Sequence, residues 1–253
     1  MSNRFKLLAS AALVLAVLSP AHAASAPNGV KNVVLVHGAF ADGSGWKAVS
    51  DILTRDGYSV SIAQPPETSF EDDVAATNRV LDRLDGPAIL VGHSYGGMII
   101  SDAGNNTHVK ALVYVAAFQP DVGDSLGKLQ GSMPPVSNSI APSADGFLYI
   151  AQAHFHADFA ADLPKATSDF MSRSQVGLSV KCAGATVATP AWKTRPSWAI
   201  VAKDDHSINP DLERSMYKRS GATTTEIAGS HVVYISQAKA VAAVIEQAAN
   251  AAK

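Results

Sequence analysis

An alternating α/β domain, built on a mainly parallel sheet with helices on both faces, is the fold this sequence predicts. Three observations carry that expectation. Almost wholly apolar short runs recur at residues 32–37, 88–91, 109–117 and 196–201, as strands buried on both faces require. Between the earlier runs lie segments of helical periodicity, the order that produces parallel crossovers. Finally, 253 residues of which 47% are hydrophobic and 17% charged are enough to fill one large core.

The first 23 residues stand apart from that domain. Arg4 and Lys6 precede an apolar run at 7–18, and Pro20-Ala21-His22-Ala23 ends in small residues. This is the pattern of a cleaved secretory signal peptide. A run of twelve residues is too short to span about 30 Å of hydrocarbon, so no stable membrane anchor is expected. The mature domain would be 24–253, with 18 basic residues against 22 acidic ones and a net charge of −4. That balance, without any basic run, excludes a nucleic-acid partner. Cys182 is the only cysteine, so no intramolecular disulfide can form.

Residues 32–37 read as the first strand, ending in His37-Gly38-Ala39-Phe40. A backbone loop of this kind can approach a reacting carbonyl closely, which makes the Ala39 N–H a candidate oxyanion donor. His37, wedged between strand and Gly, is expected to pack and fix the loop. Trp46, Val49, Ile52 and Leu53 have helical spacing, closed by Gly57. A strand at 58–63 ends in Gln64-Pro65-Pro66. A helix is then expected over 68–84, with Glu71, Asp72 and Asp73 in its first turn favoured by the helix dipole.

The most informative stretch follows. Residues 88–91 run into Gly92-His93-Ser94-Tyr95-Gly96, the G-x-S-x-G pattern of a sharp strand-to-helix turn that exposes a serine. Ser94 is therefore the candidate nucleophile, and the Tyr95 N–H at the helix start is the second candidate oxyanion donor. After the strand at 109–117 the alternation fails. Pro, Gly and Ser are dense at 120–145, and helical pieces at 147–159 and 165–174 lack clear strands between them. An insertion over about 119–194 reads as a helical cap above the sheet's carboxyl edge. His154 and His156 point apart on a helix, so no metal site is expected from them.

Alternation resumes at 196–201 and leads into Asp204-Asp205. An acid after this strand suits the third member of a serine–histidine relay, and adjacency lets only one of the two aim at the histidine. A last strand over 223–228 precedes Gly229-Ser230-His231, where His231 can reach back towards Ser94. A helix over 237–249 closes the chain.

Together, Val36-His37-Gly38-Ala39-Phe40, Gly92-His93-Ser94-Tyr95-Gly96-Gly97, Ala202 to Pro210 and Gly229-Ser230-His231 resemble the α/β-hydrolase superfamily. Within it they resemble the branch of small bacterial esterases, salicylate-binding-type plant methylesterases and hydroxynitrile lyases. The resemblance spans nearly the whole mature chain and is weakest in the cap. It implies an α/β-hydrolase fold and a carboxylic ester hydrolase with the chain order Ser, Asp, His, needing no metal or organic cofactor. The family acid stands three residues after a strand-end Gly; Ala202 holds that place here, which puts the acid on Asp205. Some relatives carry it after the preceding strand, where this chain has Asp121.

The Ser at position 94 sets the chain apart from the Asp-nucleophile dehalogenases and epoxide hydrolases of the same fold. Hydroxynitrile lyases follow the catalytic His with Lys, whereas this chain has Val232. Perhydrolase or haloperoxidase chemistry uses the same triad, and a hydrolase-fold ligand-binding protein is the alternative from another class. Phe40, Phe155, Phe159 and Val232 are the expected pocket residues for a small or medium, mostly uncharged ester. The expected setting is periplasmic or secreted.

Overall fold

The computed structural model describes residues 28–133, 137 and 139–252; the expected signal peptide lies outside them. In chain order, β1 (Asn32–Val36), α1 (Lys47–Arg55), β2 (Ser59–Ala63), α2 (Phe70–Leu81), β3 (Ala88–Ser94), α3 (Gly96–Ala103) and β4 (Val109–Ala117) build the first half. The inserted segment holds α4 (Leu126–Ser132), β5 (Ile140–Pro142), β6 (Phe147–Ile150), α5 (Gln152–Phe159), α6 (Lys165–Arg173), β7 (Leu178–Ser179) and α7 (Val180–Gly184). The chain then returns through β8 (Ser197–Ala202), α8 (Pro210–Ser220), β9 (Thr223–Ile227), α9 (Val233–Ser236) and α10 (Ala238–Ala251).

Six strands form one sheet in the order β2-β1-β3-β4-β8-β9, and every pairing in it is parallel. Central β1 and β3 are buried at every residue, which is why their sequences run apolar without alternation. Edge strand β9, Thr-Thr-Thr-Glu-Ile, is largely exposed and polar. Helices α1 and α10 pack on each other, as do α2 and α3, giving the two helical layers. The chain moves outward from β1 to β2 and then crosses back to β3 on the other side. A crevice opens at the carboxyl ends of strands where the order reverses, and the Gly38 loop and Ser94 both sit there.

The insertion is less purely helical than its sequence suggests. Besides its helices it contains a three-stranded antiparallel sheet, β5-β6-β7. Phe147–Ile150, expected as the start of a helix, is a strand. Four residues of Phe, Leu, Tyr and Ile favour an extended chain, and the helix begins only at Gln152.

Local signals fix the helix ends. Ser69 caps α2 by accepting the Asp72 N–H, and Asn209 with Pro210 starts α8, which Gly221 ends at a φ of 72°. The tightest packing is at α3. A Cβ on Gly97 would stand 2.0 Å from the Phe118 carbonyl oxygen, so only glycine lets α3 lie against the end of β4. Gly97→Ala is therefore expected to destabilise the fold by about 1–3 kcal/mol. Urea unfolding measures this, and an unchanged midpoint would show that α3 does not need the close approach.

Candidate active site

The turn from β3 to α3 places Ser94 at a φ of 53°, a conformation that costs a non-glycine residue roughly 1–3 kcal/mol. The flanking glycines make the turn possible: a Cβ on Gly92 would stand 2.6 Å from the Gly96 carbonyl oxygen, and one on Gly96 2.8 Å from that of His37. His231, on the loop after β9, brings its Nε2 to 2.8 Å from Ser94 Oγ. Its Nδ1 lies 2.6 Å from Asp205 Oδ2. The other oxygen of Asp205 accepts the N–H groups of Ser207 at 2.7 Å and Ile208 at 2.9 Å. Ser94, His231 and Asp205 thus form one buried chain of hydrogen bonds.

The neighbouring acids are occupied elsewhere. Asp204 Oδ2 accepts the Gly229 N–H and so braces the loop that carries His231. Asp121 is bound to Lys193 Nζ at 2.6 Å and to the Val122 N–H. His156 Nδ1 meets Ser168 Oγ. The N–H groups of Ala39 and Tyr95 make no hydrogen bond among the described residues, and both residues line the cavity in front of Ser94.

That cavity measures about 210 Å³ and is lined by apolar side chains such as Phe40, Phe118, Leu148 and Phe159 around Ser94 and His231. Among the described residues, no Asp, Glu, Lys or Arg lines it. Two expected pocket residues do not reach it. Phe155 is fully buried and packs its ring on Phe159 at 4.9 Å, because α5 turns only one of its two buried aromatics to the cavity. Val232 is fully buried at the start of α9, where the chain folds inward directly after His231. A second hollow of about 340 Å³, between α1 and α6, shares only Phe40 with the first lining.

Several buried polar groups at the site escaped the sequence reading. Asp73 is no mere dipole partner. It accepts the Tyr95 hydroxyl at 2.7 Å on one oxygen and the Glu67 N–H at 2.6 Å on the other, which anchors the elbow from behind. The signal was present, since Asp73 shares a helix face with Thr77, itself fully buried. His93 Nε2 lies 2.9 Å from the His231 carbonyl oxygen; a carbonyl only accepts, so this nitrogen carries the proton. Burial holds His93 well below its ordinary value, hence neutral beside His231. Asp162, from the cap, accepts the Ser230 N–H and the Ser236 hydroxyl.

Glu67, with a φ of 59°, lies 3.5 Å from His37 Nδ1 in complete burial. Burial is the main cause that pushes its carboxyl up to about 7. His37 is driven down by the same burial, but the Glu67 carboxyl beside it outweighs that and leaves it raised.

The chain belongs to the α/β-hydrolase family, whose profile matches residues 33–244. Over 173 residues it is 28% identical to a carbendazim hydrolyzing esterase of Nocardioides sp. (strain SG-4G), covering 62% of this chain and 70% of that protein. The crystal structure of a pyrethroid hydrolase from Sphingobium faniae JZ-2 matches with a TM-score of 0.72 at 24% identity, covering 88% of this chain and 98% of that one. An extracellular α/β-hydrolase from a Paenibacillus species gives 0.71 at 17% identity, covering 86% and 98%. The structural matches establish the shared fold.

The Glu67–His37 pair makes stability depend on pH. The folded protein keeps a proton on Glu67 that the unfolded chain releases near pH 4.5, and His37 likewise binds its proton more tightly when folded. Both contributions are present at low pH and lost as the pH rises, Glu67's between about 4.5 and 7 and His37's above 6.5. Glu67→Gln should flatten this fall, removing about 3 kcal/mol of it between pH 5 and 8. Urea titrations of both proteins at the two pH values measure the difference; parallel losses would contradict the assignment.

Proposed function

We propose that this protein is a serine hydrolase that cleaves carboxylic esters of small or medium, mostly uncharged substrates through an acyl-enzyme intermediate. The observation that carries the reading is the hydrogen-bond chain from Ser94 through His231 to Asp205, facing an apolar cavity with two unspent N–H groups. The named esterase and hydrolase relatives add support.

Each step follows from these groups. A serine hydroxyl is a weak nucleophile near neutrality, so His231 Nε2 takes the proton from Ser94 Oγ as the oxygen attacks the ester carbonyl. Asp205 holds the imidazole in the tautomer that presents Nε2 as acceptor and stabilises the imidazolium that forms. The N–H groups of Ala39 and Tyr95 bind the oxyanion, each such donor lowering the barrier by about 3 kcal/mol. His231 then protonates the leaving alcohol. Water attacks the acyl enzyme by the same route, regenerating Ser94.

A cavity without charged walls favours uncharged acyl and alcohol groups, since a buried charge would find no partner there. The N-terminal leader pattern directs the enzyme out of the cytoplasm, to the periplasm or the medium. Val232, uncharged and buried, offers no cation for a cyanide leaving group, which disfavours the lyase alternative.

Ester turnover by purified variants tests the roles. Ser94→Ala is expected to lower kcat about 10⁶-fold. Asp205→Asn should lower it about 10⁴-fold, because the imidazole is left in the wrong tautomer, while Asp204→Asn should cost less than about 10-fold through its bracing of the Gly229 loop. Near-native turnover by Ser94→Ala would sink the nucleophile assignment. A larger loss at Asp204 than at Asp205 would move the acid by one residue.

A further inference from the structure

The relay does not stop at Asp205. Glu213, on α8, is completely buried. One of its oxygens, Oε2, accepts the Ala202 N–H at 3.2 Å. Its Oε1 is also buried and has no hydrogen-bond partner among the described residues, and the Asp205 carboxyl is its acidic neighbour. Two carboxyl groups in contact cannot both be ionised, so one must hold a proton and share it with the other.

The partners decide which one. Asp205 receives His231 Nδ1 and the N–H groups of Ser207 and Ile208, whereas Glu213 receives a single N–H. Negative charge is better solvated on Asp205. No cation reverses the choice. Arg214, the basic neighbour on α8, is partly exposed and spends its guanidinium on Glu226 and Asp211. The remaining groups packed nearby are committed too: the Tyr217 hydroxyl donates to the Ala117 carbonyl, and that of Tyr114 pairs with Ser101.

Resting on the hydrolase reading of Ser94 and His231, we propose that Glu213 is a positioning residue whose Oε1 proton is donated to Asp205, making the triad acid one end of a two-carboxyl unit. Burial first, then the charge of Asp205, hold the Glu213 carboxyl well above the usual carboxylate range. This donor has two effects. It fixes the Asp205 carboxylate against rotation, and it withdraws part of the negative charge that His231 feels.

Two variants separate this role from plain packing. In Glu213→Gln the side-chain oxygen can still accept from Ala202 and the amide can still donate to Asp205. In Glu213→Leu both are lost. The readouts are the ¹³C NMR titration of His231 and the pH profile of kcat/KM. Glu213→Gln is expected to leave the His231 titration within about 0.3 pH unit of the wild type, and Glu213→Leu to move it about one unit higher. In Glu213→Leu, kcat should also fall about 10- to 100-fold with KM nearly unchanged.

A downward move of about a unit in Glu213→Gln would mean that Glu213 carries charge, and would overturn the proposal. So would an unmoved titration in a folded Glu213→Leu. If Glu213→Leu does not fold, the Gln variant decides alone. Should the wild type fail to cleave any ester, the hydrolase reading falls while the NMR titration still judges the carboxyl pair.

Discussion

The site depends on one constraint: three stretches of backbone must meet at the carboxyl edge of the sheet with no room for side chains between them. The end of β3, the start of α3 and the loop after β1 converge around Ser94. Gly92 and Gly96 let the turn close, Gly38 lets the β1 loop lie where a Cβ would stand 2.6 Å from that of Ser94, and Gly97 seats α3 against β4. The strained φ of Ser94 is the consequence. Once the turn is closed, Ser94 lies at the crevice, and Ala39 and Tyr95, whose N–H groups make no hydrogen bond among the described residues, line the same cavity. The oxyanion site proposed for these two N–H groups would thus be a by-product of backbone packing and would need no side-chain donor.

Around this turn lies an unusual density of buried acids. Asp73 grips the Tyr95 hydroxyl, Glu67 leans on His37 behind the Ala39 loop, Asp205 holds His231, and Glu213 backs Asp205. Negative charge this close to a developing oxyanion would oppose the reaction if it were free. Each group answers that differently. Asp73 and Asp205 are surrounded by donors, while Glu67 and Glu213 lie where burial favours the neutral acid. The site therefore holds its donors rigidly without accumulating uncompensated charge.

Much of the fold was legible because it rests on short-range rules. Continuous apolar runs mark buried parallel strands, and β1, β3, β4 and β8 lie within a few residues of where their hydrophobicity places them. Ser94, Asp205 and His231 were legible as candidates because each follows a strand, and parallel topology sends all strand ends to one edge. The choice of Asp205 over Asp204 came from the family resemblance alone, since it turns on which side chain the 203–208 turn points inward.

The pocket was harder still. Phe155 and Phe159 sit four residues apart on α5, yet only the second meets the cavity. Apolar residues that pack a cap and those that line a cavity have the same composition. Glu67 and Glu213 were invisible for a related reason. In sequence they read as polar surface positions on loops and helices, and only tertiary packing shows that they are buried.

Whether Ser94 attacks an ester and carries its acyl group is decided by trapping that intermediate. Wild-type protein mixed with an activated ester and quenched in acid within milliseconds should gain the mass of one acyl group, and peptide mapping should place it on Ser94. Adduct on any other residue, or turnover of the same ester with no covalent adduct at any quench time, would contradict the account.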